Sequence, residues 1–174
     1  MSISYAHSAT SLAEVAASVN RSIPLRMDTA TLVDRMRRHY DDGCFACGRE
    51  NPLGLHLDDF SLDEGLVSAR FDPREEYRGA GTSLHGGVAA TALDEMLVWA
   101  GILDLRVMSV TAKMEVKYRR PVQVTDPILV RARVDERRGR RLLTSGELLV
   151  DDRVCVEASG LYLITSDLAE MGIL

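Results

Sequence analysis

No apolar run in this sequence approaches the ~20 residues that a membrane-spanning helix needs, so no span is predicted. The first 27 residues lack a continuous apolar core, which argues against a secretory signal and leaves only weak support for a transit peptide. Cysteine is scarce. Three cysteines are an odd number, and without a predicted signal peptide they favour a reducing cytosol over a disulfide scaffold. Basic residues do not dominate either: 21 Lys and Arg against 26 Asp and Glu give a net charge of −5, which argues against a nucleic-acid partner.

The rest of the composition is that of a globular protein. The chain has 174 residues, of which 46% are hydrophobic and 27% charged, and it contains no internal repeat or low-complexity linker. Residues 1–42 are predicted to form a helical arm, in which "SLAEVAASV" and "TATLVDRMRRHY" have helical apolar spacing around a break at Pro24. Thr29 or Thr31 is the expected cap of the second helix. We expect the arm to pack on the core or on a partner subunit, with one domain over 43–166 and a tail over 167–174.

Strand patterns occupy much of the remaining chain. Short candidates lie at 55–60 and 66–72, and Val67, Ala69 and Phe71 share one face of the second. Four longer candidates follow residue 106, and "RRGR" and Asp151-Asp152 are the turns predicted between the last three. The first two of the four alternate. In the first, one face is formed by Ala112, Met114, Val116 and Tyr118. In the second, one face is formed by Ile128, Val130, Ala132 and Val134. Short connections predict an antiparallel meander rather than alternating βαβ units.

Between the two groups of strands lies the helix candidate 86–101. It is apolar nearly all round, so it must be buried, and an antiparallel sheet with one apolar face is the element available to bury it. The predicted fold is therefore α+β, with the sheet curled around this helix. Asp94 and Glu95 are its only charged residues up to Ile102, and they lie about 100° apart around the axis. One can reach solvent or an interface rim, or pair with an arginine, while the other points into a pocket.

Two glycines at the start of this helix favour a functional interpretation. Gly86 and Gly87 let a ligand approach the backbone, and the unpaired N–H groups of a first helical turn attract negative charge. Asp94 lies about 10–12 Å further along by helical rise. A substrate carbonyl held at the N-terminus, with a carboxylate acting from the side, is one arrangement that this spacing allows.

Three stretches of the sequence resemble the hotdog-fold thioesterases, in the PaaI-like and THEM-type branches of the 4-hydroxybenzoyl-CoA thioesterase superfamily. They are "LHGGVAATALDE", "VTAKMEVKYRRPV" and "CFACGRENPLGLHL", and the resemblance covers about 44–165. It implies a long helix wrapped by an antiparallel sheet, with active sites at the interface of a homodimer or of a dimer of dimers. The implied activity is hydrolysis of acyl-CoA in the cytoplasm, with no cofactor and no metal.

The resemblance also implies roles for individual residues. Asp94 would activate water or attack the thioester, and Thr111 of the partner subunit would orient the water. The N–H of Gly86, with Gly87, would form the oxyanion hole, and His85 would contact the carbonyl or shape the loop. Glu95 would be a bystander.

The sequence departs from related patterns at two positions. Gly79 stands where some PaaI-like enzymes have Asn, and Ala80 stands where hydratase hotdogs have Asp, which argues against a hydratase. Two alternatives to acyl-CoA hydrolysis stay open: a hotdog module that binds acyl-CoA without turnover, and a hydrolase of acyl carrier protein thioesters.

Two further groups of residues have both a functional and a structural interpretation. The donors in "H-x4-C-x2-C-x8-H", His39, Cys44, Cys47 and His56, could bind a tetrahedral zinc, but the pattern lacks a second paired half, so a tight turn ending at Asn51-Pro52 is preferred. Arg119 and Arg120 are candidates for the phosphates of coenzyme A. The hairpin arginines 137, 138, 140 and 141 are assigned to a solvated turn, and Met96, Leu97 and Trp99 to the core.

Overall fold

The computed structural model describes residues 27–174, so the predicted helix "SLAEVAASV" lies outside the described residues. Within them, two α-helices and six strands follow one another in the order α1 (Thr29–His39), β1 (Asp58–Asp63), β2 (Leu66–Phe71), α2 (Gly86–Ala100), β3 (Val107–Tyr118), β4 (Ile128–Arg138), β5 (Arg141–Val150) and β6 (Arg153–Asp167). No helix in this part of the chain is long and apolar enough to cross a membrane.

The six strands form one antiparallel sheet in the order β1-β2-β4-β5-β6-β3. The predicted meander is correct for β4, β5 and β6, which are joined by tight turns at 139–140 and 151–152. Asp151 and Asp152 both have positive φ, as such hairpin turns require. The prediction is wrong for β3, which pairs with β6 at the far edge of the sheet. Alternation assigns each residue to a face but does not specify the neighbouring strand, and the longer connection 119–127 lets β3 pair elsewhere.

The sheet packs its apolar face around α2, as predicted for a hotdog fold. Leu93, Met96 and Leu97 of the helix are fully buried, and Trp99 is nearly so. They pack among the predicted inward residues of the sheet, which include Val67, Ala69, Phe71, Ile128, Val130 and Ala132. The helix continues beyond Ala100 as a π-helical turn, Gly101–Leu105, which ends where Arg106 adopts a left-handed conformation and leads into β3.

The first half of β3 departs from the predicted alternation. Met114 and Val116 are half-buried, but Ala112 and Tyr118 are exposed. The register between β3 and β6 shifts between Thr111 and Lys113, and this bulge interrupts the period-2 pattern.

Helix α1 packs on the same core through Leu32, Val33 and Met36. Its N-cap is Asp28, whose side chain accepts the N–H of Thr31 at 2.9 Å. The expectation that a threonine would cap this helix was therefore wrong, because the carboxylate one residue before Thr29 reaches the free N–H groups first.

Two segments next to the strands also pack into the core. The chain before β1 is not extended at His56, which has a φ of 57°, so the strand predicted at 55–60 begins only at Asp58. Beyond β6, Leu168 and Ile173 are buried, and the last residues therefore contribute to the core.

Candidate active site

Asp94 of α2 is half-buried and accepts two hydroxyl hydrogen bonds from its own chain. Thr111 Oγ1 donates to Asp94 Oδ1 at 2.7 Å, and the Tyr162 hydroxyl donates to the same oxygen at 2.6 Å. The expectation that Thr111 would reach Asp94 from a partner subunit is therefore wrong for this pair. The π-helical turn after α2 reverses the chain, so that β3 runs back alongside its own helix.

Pairing between β3 and β6 places the two donors together. Thr111 and Tyr162 are opposite each other in the register, and the bulge that follows Thr111 lies beside this pair. Burial is the main cause of the raised pKa of the Tyr162 phenol, and the hydrogen bond to Asp94 raises this pKa further. Tyr162 therefore stays protonated and acts as a donor, while Oδ2 of Asp94 is left for another partner.

Sequence reasoning missed Tyr162. The sequence did contain a clue to it, a tyrosine among the inward residues of the last predicted strand. Tyr162 is fully buried, and a buried hydroxyl needs a hydrogen-bond partner. What could not be inferred was that the partner would be Asp94, because that required β3 and β6 to be neighbours.

The other end of α2 carries the His-Gly-Gly stretch. His85 is the N-cap, and its Nδ1 accepts the N–H of Gly87 at 2.9 Å. This bond occupies one of the two N–H groups predicted for an oxyanion hole. Among the hydrogen bonds of residues 27–174, the Gly86 N–H has no acceptor, and its residue is only half-buried. Of these two N–H groups, it is therefore that of Gly86 that can donate to a negatively charged oxygen.

Tyr118 closes over this helix end. Its hydroxyl donates to the Gly86 carbonyl at 2.8 Å, and a Cβ on Gly86 would lie 3.3 Å from the Tyr118 ring. Gly79 lies against His85 from the other side, since a Cβ there would be 3.3 Å from the His85 Cα. The loop before α2 thus has little room for larger side chains at either glycine.

One chain does not bring the two ends of α2 to a single carbonyl. Gly86 and Asp94 are two turns apart, which corresponds to about 12 Å of helical rise. A reacting carbon lies about 3 Å from both its nucleophile and its oxyanion donor. The two groups can therefore meet on one substrate only if they come from different copies of the chain.

Arg119 and Arg120 follow β3 next to the N-terminal end of α2. With Gly86 and Tyr118 they line a groove of about 380 Å³. The Arg119 guanidinium is exposed and paired with Glu157 at 2.9 Å, and Arg120 Nη1 donates to the Val154 carbonyl at 2.6 Å. Both side chains are accessible at this groove, although each already has a protein partner.

A larger cavity of about 660 Å³ lies along the C-terminal half of α2. Its lining is mainly apolar and includes Met36, Val98, Trp99, Ile102, Met108 and Val110. Thr111 and Glu95 reach the same cavity. Asp94 does not line this cavity, but its partner Thr111 does, together with Trp99, which was expected only to pack in the core.

Glu95, to which the resemblance gives no role in catalysis, has polar partners of its own. Its carboxylate accepts the Trp99 indole N–H at 2.8 Å and lies 3.7 Å from the Cys44 sulfur. Burial, followed by the nearby negative charge of Cys44, raises the pKa of Glu95 to about 7. The four-donor set with His39 and His56 does not assemble, because the His56 ring bonds to the Asn51 carbonyl and the His39 ring packs edge-to-face with Tyr40.

Comparison with known proteins agrees with this geometry. Residues 81–157 match the family model described as the thioesterase superfamily. The match supports thioester hydrolysis as the general class of reaction. No curated protein matches the chain in sequence.

Several solved structures share the fold at low sequence identity. The E. coli PaaI protein from the phenylacetic acid degradation operon has a TM-score of 0.66 and 16% identity, over 81% of this chain and 98% of its own. Zebrafish thioesterase superfamily member 2 has a TM-score of 0.65 and 18% identity, over 80% and 99%. A Streptococcus mutans protein, solved bound to acetyl CoA, has a TM-score of 0.58 and 16% identity, over 63% and 91%.

The thioesterase superfamily match covers some of the candidate residues and not others. It includes Gly86, Asp94 and Thr111, and it ends before Tyr162. It begins after the turn that carries Cys44 and Cys47. The second hydroxyl on Asp94 and the cysteine turn are therefore features that only the structure connects with α2.

Proposed function

We propose that this chain is an acyl-CoA thioesterase in which Asp94 is the general base or nucleophile. The observation that carries the proposal is the Asp94 carboxylate, oriented by the hydroxyls of Thr111 and Tyr162, the first of which lines an apolar cavity. Two donors on Oδ1 fix the plane of the carboxylate and leave Oδ2 to accept a proton from water. The pair Thr111 and Tyr162 thus positions the base rather than the water.

The chemical step needs one carboxylate, one water and one oxyanion donor. In the general-base form, Asp94 removes a proton as the water oxygen bonds to the thioester carbon. The carbonyl oxygen becomes negative and is stabilised by the Gly86 N–H at the positive end of the helix dipole. The carbon–sulfur bond then breaks, and the thiolate of coenzyme A leaves and takes up the proton that Asp94 had removed from the water. General-base catalysis contributes roughly 10²–10⁴-fold and an oxyanion donor about 10²–10³-fold.

This site requires two copies of the chain, because Asp94 and Gly86 of one copy are about 12 Å apart. The outer edge of β3 offers the surface for the second copy: β3 pairs only with β6 among the described strands, and Val110 is 50% exposed. A long unpaired edge strand is a template for pairing with another chain. We infer a homodimer in which Asp94 and Thr111 of one subunit face the Gly86 of the other.

The groove at the start of α2 suits the nucleotide part of the substrate. Arg119 and Arg120 lie beside Gly86, so phosphates bound there would leave the thioester near the oxyanion donor. The Streptococcus mutans relative, solved with acetyl CoA, supports this choice of substrate class. The apolar cavity of about 660 Å³ would take the acyl group.

The test is a panel of aryl, short-chain and long-chain acyl-CoA esters with a thiol-trapping readout. We expect turnover by the native protein and a loss of about 10²–10⁴-fold in kcat for Asp94→Asn, with an unchanged circular dichroism spectrum. Asp63→Asn, an exposed carboxylate of β1 at the opposite edge of the sheet, is the matched control and should retain full activity. Unchanged kcat in Asp94→Asn would exclude the assignment. Micromolar binding without turnover would instead identify a binding module, and turnover of acyl carrier protein thioesters alone would change the substrate.

A further inference from the structure

Two cysteines and a glutamate from different parts of the chain converge at the wall of the apolar cavity. Cys44 and Cys47 lie in the turn between α1 and β1, and Glu95 lies on α2. One ligand atom from each of the three side chains falls within 4.8 Å of the others. The Cys44 sulfur is 3.7 Å from both oxygens of Glu95. The catalytic proposal makes no use of these groups.

The backbone of the turn holds both sulfurs in place. The Gly48 N–H donates to the Cys44 carbonyl at 2.9 Å, and a Cβ at Gly48 would lie 2.5 Å from the Cys44 nitrogen, so only glycine fits. The buried Arg37 holds the other end through a 3.0 Å bond to the Cys47 carbonyl. The N–H groups of Ala46 and Cys47 also approach the Cys44 sulfur.

The distance between Cys44 and Glu95 matches the sulfur–oxygen edge of a tetrahedral zinc site. Zn–S bonds of about 2.3 Å and Zn–O bonds of about 2.0–2.2 Å give sulfur–oxygen edges of roughly 3.5 Å. The observed 3.7 Å needs only a small adjustment. The carboxylate also has the outer hydrogen bond that metal ligands usually have, because the Trp99 indole donates to its Oε1 at 2.8 Å.

The chemistry of the donor set selects the kind of ion. Thiolate ligands favour zinc over magnesium and calcium, which prefer oxygen. When ionised, the three groups bring three negative charges into a partly apolar site, which is costly unless a proton or a cation compensates them. Neither hydrogen-bond partner of Glu95, the Trp99 indole or Cys44, is a cation, so neither supplies that compensation.

We propose that Cys44, Cys47 and Glu95 bind one Zn²⁺ ion, with the fourth position open to the cavity. All three side chains line the same cavity of about 660 Å³, so the fourth ligand comes from its interior as water or another small donor. The ion joins the cysteine turn to the central helix. The site is separate from the proposed base, since Asp94 points about 100° away from Glu95 around the helix.

The test measures metal in the full chain, purified under reducing conditions. We expect about one Zn²⁺ per chain by mass spectrometry, and a sulfur-to-cobalt charge-transfer band when the metal-free protein is titrated with Co²⁺. Competition with a chromophoric chelator gives the affinity. Cys44→Ser and Cys47→Ser should each weaken zinc binding by more than about 100-fold and abolish or halve the band, and Glu95→Gln should weaken binding by at least about 10-fold. Cys155→Ser, which removes the third, buried cysteine, is the matched control and should bind as the native protein does.

Two results would overturn the proposal. One is a native protein that retains no zinc and gives no charge-transfer band with Co²⁺ while its thiols are reduced. The other is a Cys155→Ser variant that loses as much zinc affinity as Cys44→Ser does. If the cysteine variants fail to fold, alkylation of the native protein decides: Zn²⁺ must protect Cys44 and Cys47 and leave the rate at Cys155 unchanged. Equal alkylation with and without Zn²⁺ would exclude the site.

Discussion

Thr111 and Tyr162 lie opposite each other on β3 and β6, and both hydroxyls donate to the same oxygen of Asp94, at 2.7 and 2.6 Å. Thr111 is exposed and Tyr162 is fully buried, so the two donors approach the carboxylate from different environments. This arrangement fixes the orientation of Asp94 from the sheet rather than from its own helix. It also makes the geometry of the base depend on strand pairing far from residue 94 in sequence.

Removing the buried donor should lower turnover without unfolding the protein. Tyr162→Phe keeps the ring that fills the core and removes only the hydroxyl that orients Asp94. A hydrogen bond to a charged group contributes about 1.5–3 kcal/mol, so we expect kcat to fall by about 10- to 100-fold with little change in KM. Thr111→Val, which is nearly isosteric, should act in the same direction.

Steady-state kinetics on the best acyl-CoA measures this effect, and thermal unfolding checks the fold. Ser61→Ala on β1, which removes an exposed hydroxyl bonded to Ser68, is the control and should leave kcat unchanged. A Tyr162→Phe variant with native kcat would mean that the tyrosine only fills the core.

The arginines that follow β3 should act on binding rather than on chemistry. Arg119→Gln with Arg120→Gln removes both charges beside Gly86, and we expect KM for acyl-CoA to rise about tenfold, with kcat changed much less. An acyl thioester of pantetheine, which lacks the nucleotide, should react equally well with the variant and the native protein. Equal loss on both substrates would place the arginines in the fold, through the Glu157 pair and the Val154 carbonyl, and not in phosphate binding.

Much of the fold could be predicted from periodicity, because burial faces follow directly from it. The inward residues of β2 and β4 and the fully buried centre of α2 were found in this way. The position of β3 could not be found, since alternation specifies faces and not neighbours. The cap of α1 was missed because its carboxylate stands one residue before the first threonine considered.

The residues of the candidate site also fall into two groups, those that the sequence pattern reveals and those that depend on long-range contacts. Asp94 and Gly86 could be predicted because charge and glycine are conspicuous in an apolar helix. Tyr162 and the Glu95 cluster could not be predicted, because each depends on contacts between residues more than 50 positions apart in sequence. The spacing of the cysteines was visible, but the third donor came from α2 instead of from either nearby histidine.

A site shared between two subunits makes a prediction that one-chain catalysis does not. Asp94→Asn removes the base, and Gly86→Val forces a side chain against the Tyr118 ring and blocks the oxyanion donor. Each variant alone should be inactive as a homodimer. In a mixed dimer, the Asp94 of the Gly86→Val subunit faces the intact Gly86 of the Asp94→Asn subunit. One complete site is thereby restored in each mixed dimer.

Differently tagged variants, mixed under conditions that allow subunit exchange, test this directly. Random exchange makes half of the dimers mixed, so activity should recover to about a quarter of the native value, in proportion to the mixed dimer seen by native mass spectrometry. The matched control mixes Asp94→Asn with a subunit that carries both substitutions. That pair has no complete site, because neither chain keeps Asp94, and it should stay inactive. Mixed dimers of the two single variants that form without recovery would mean that Asp94 does not act on a carbonyl held by the Gly86 of another chain.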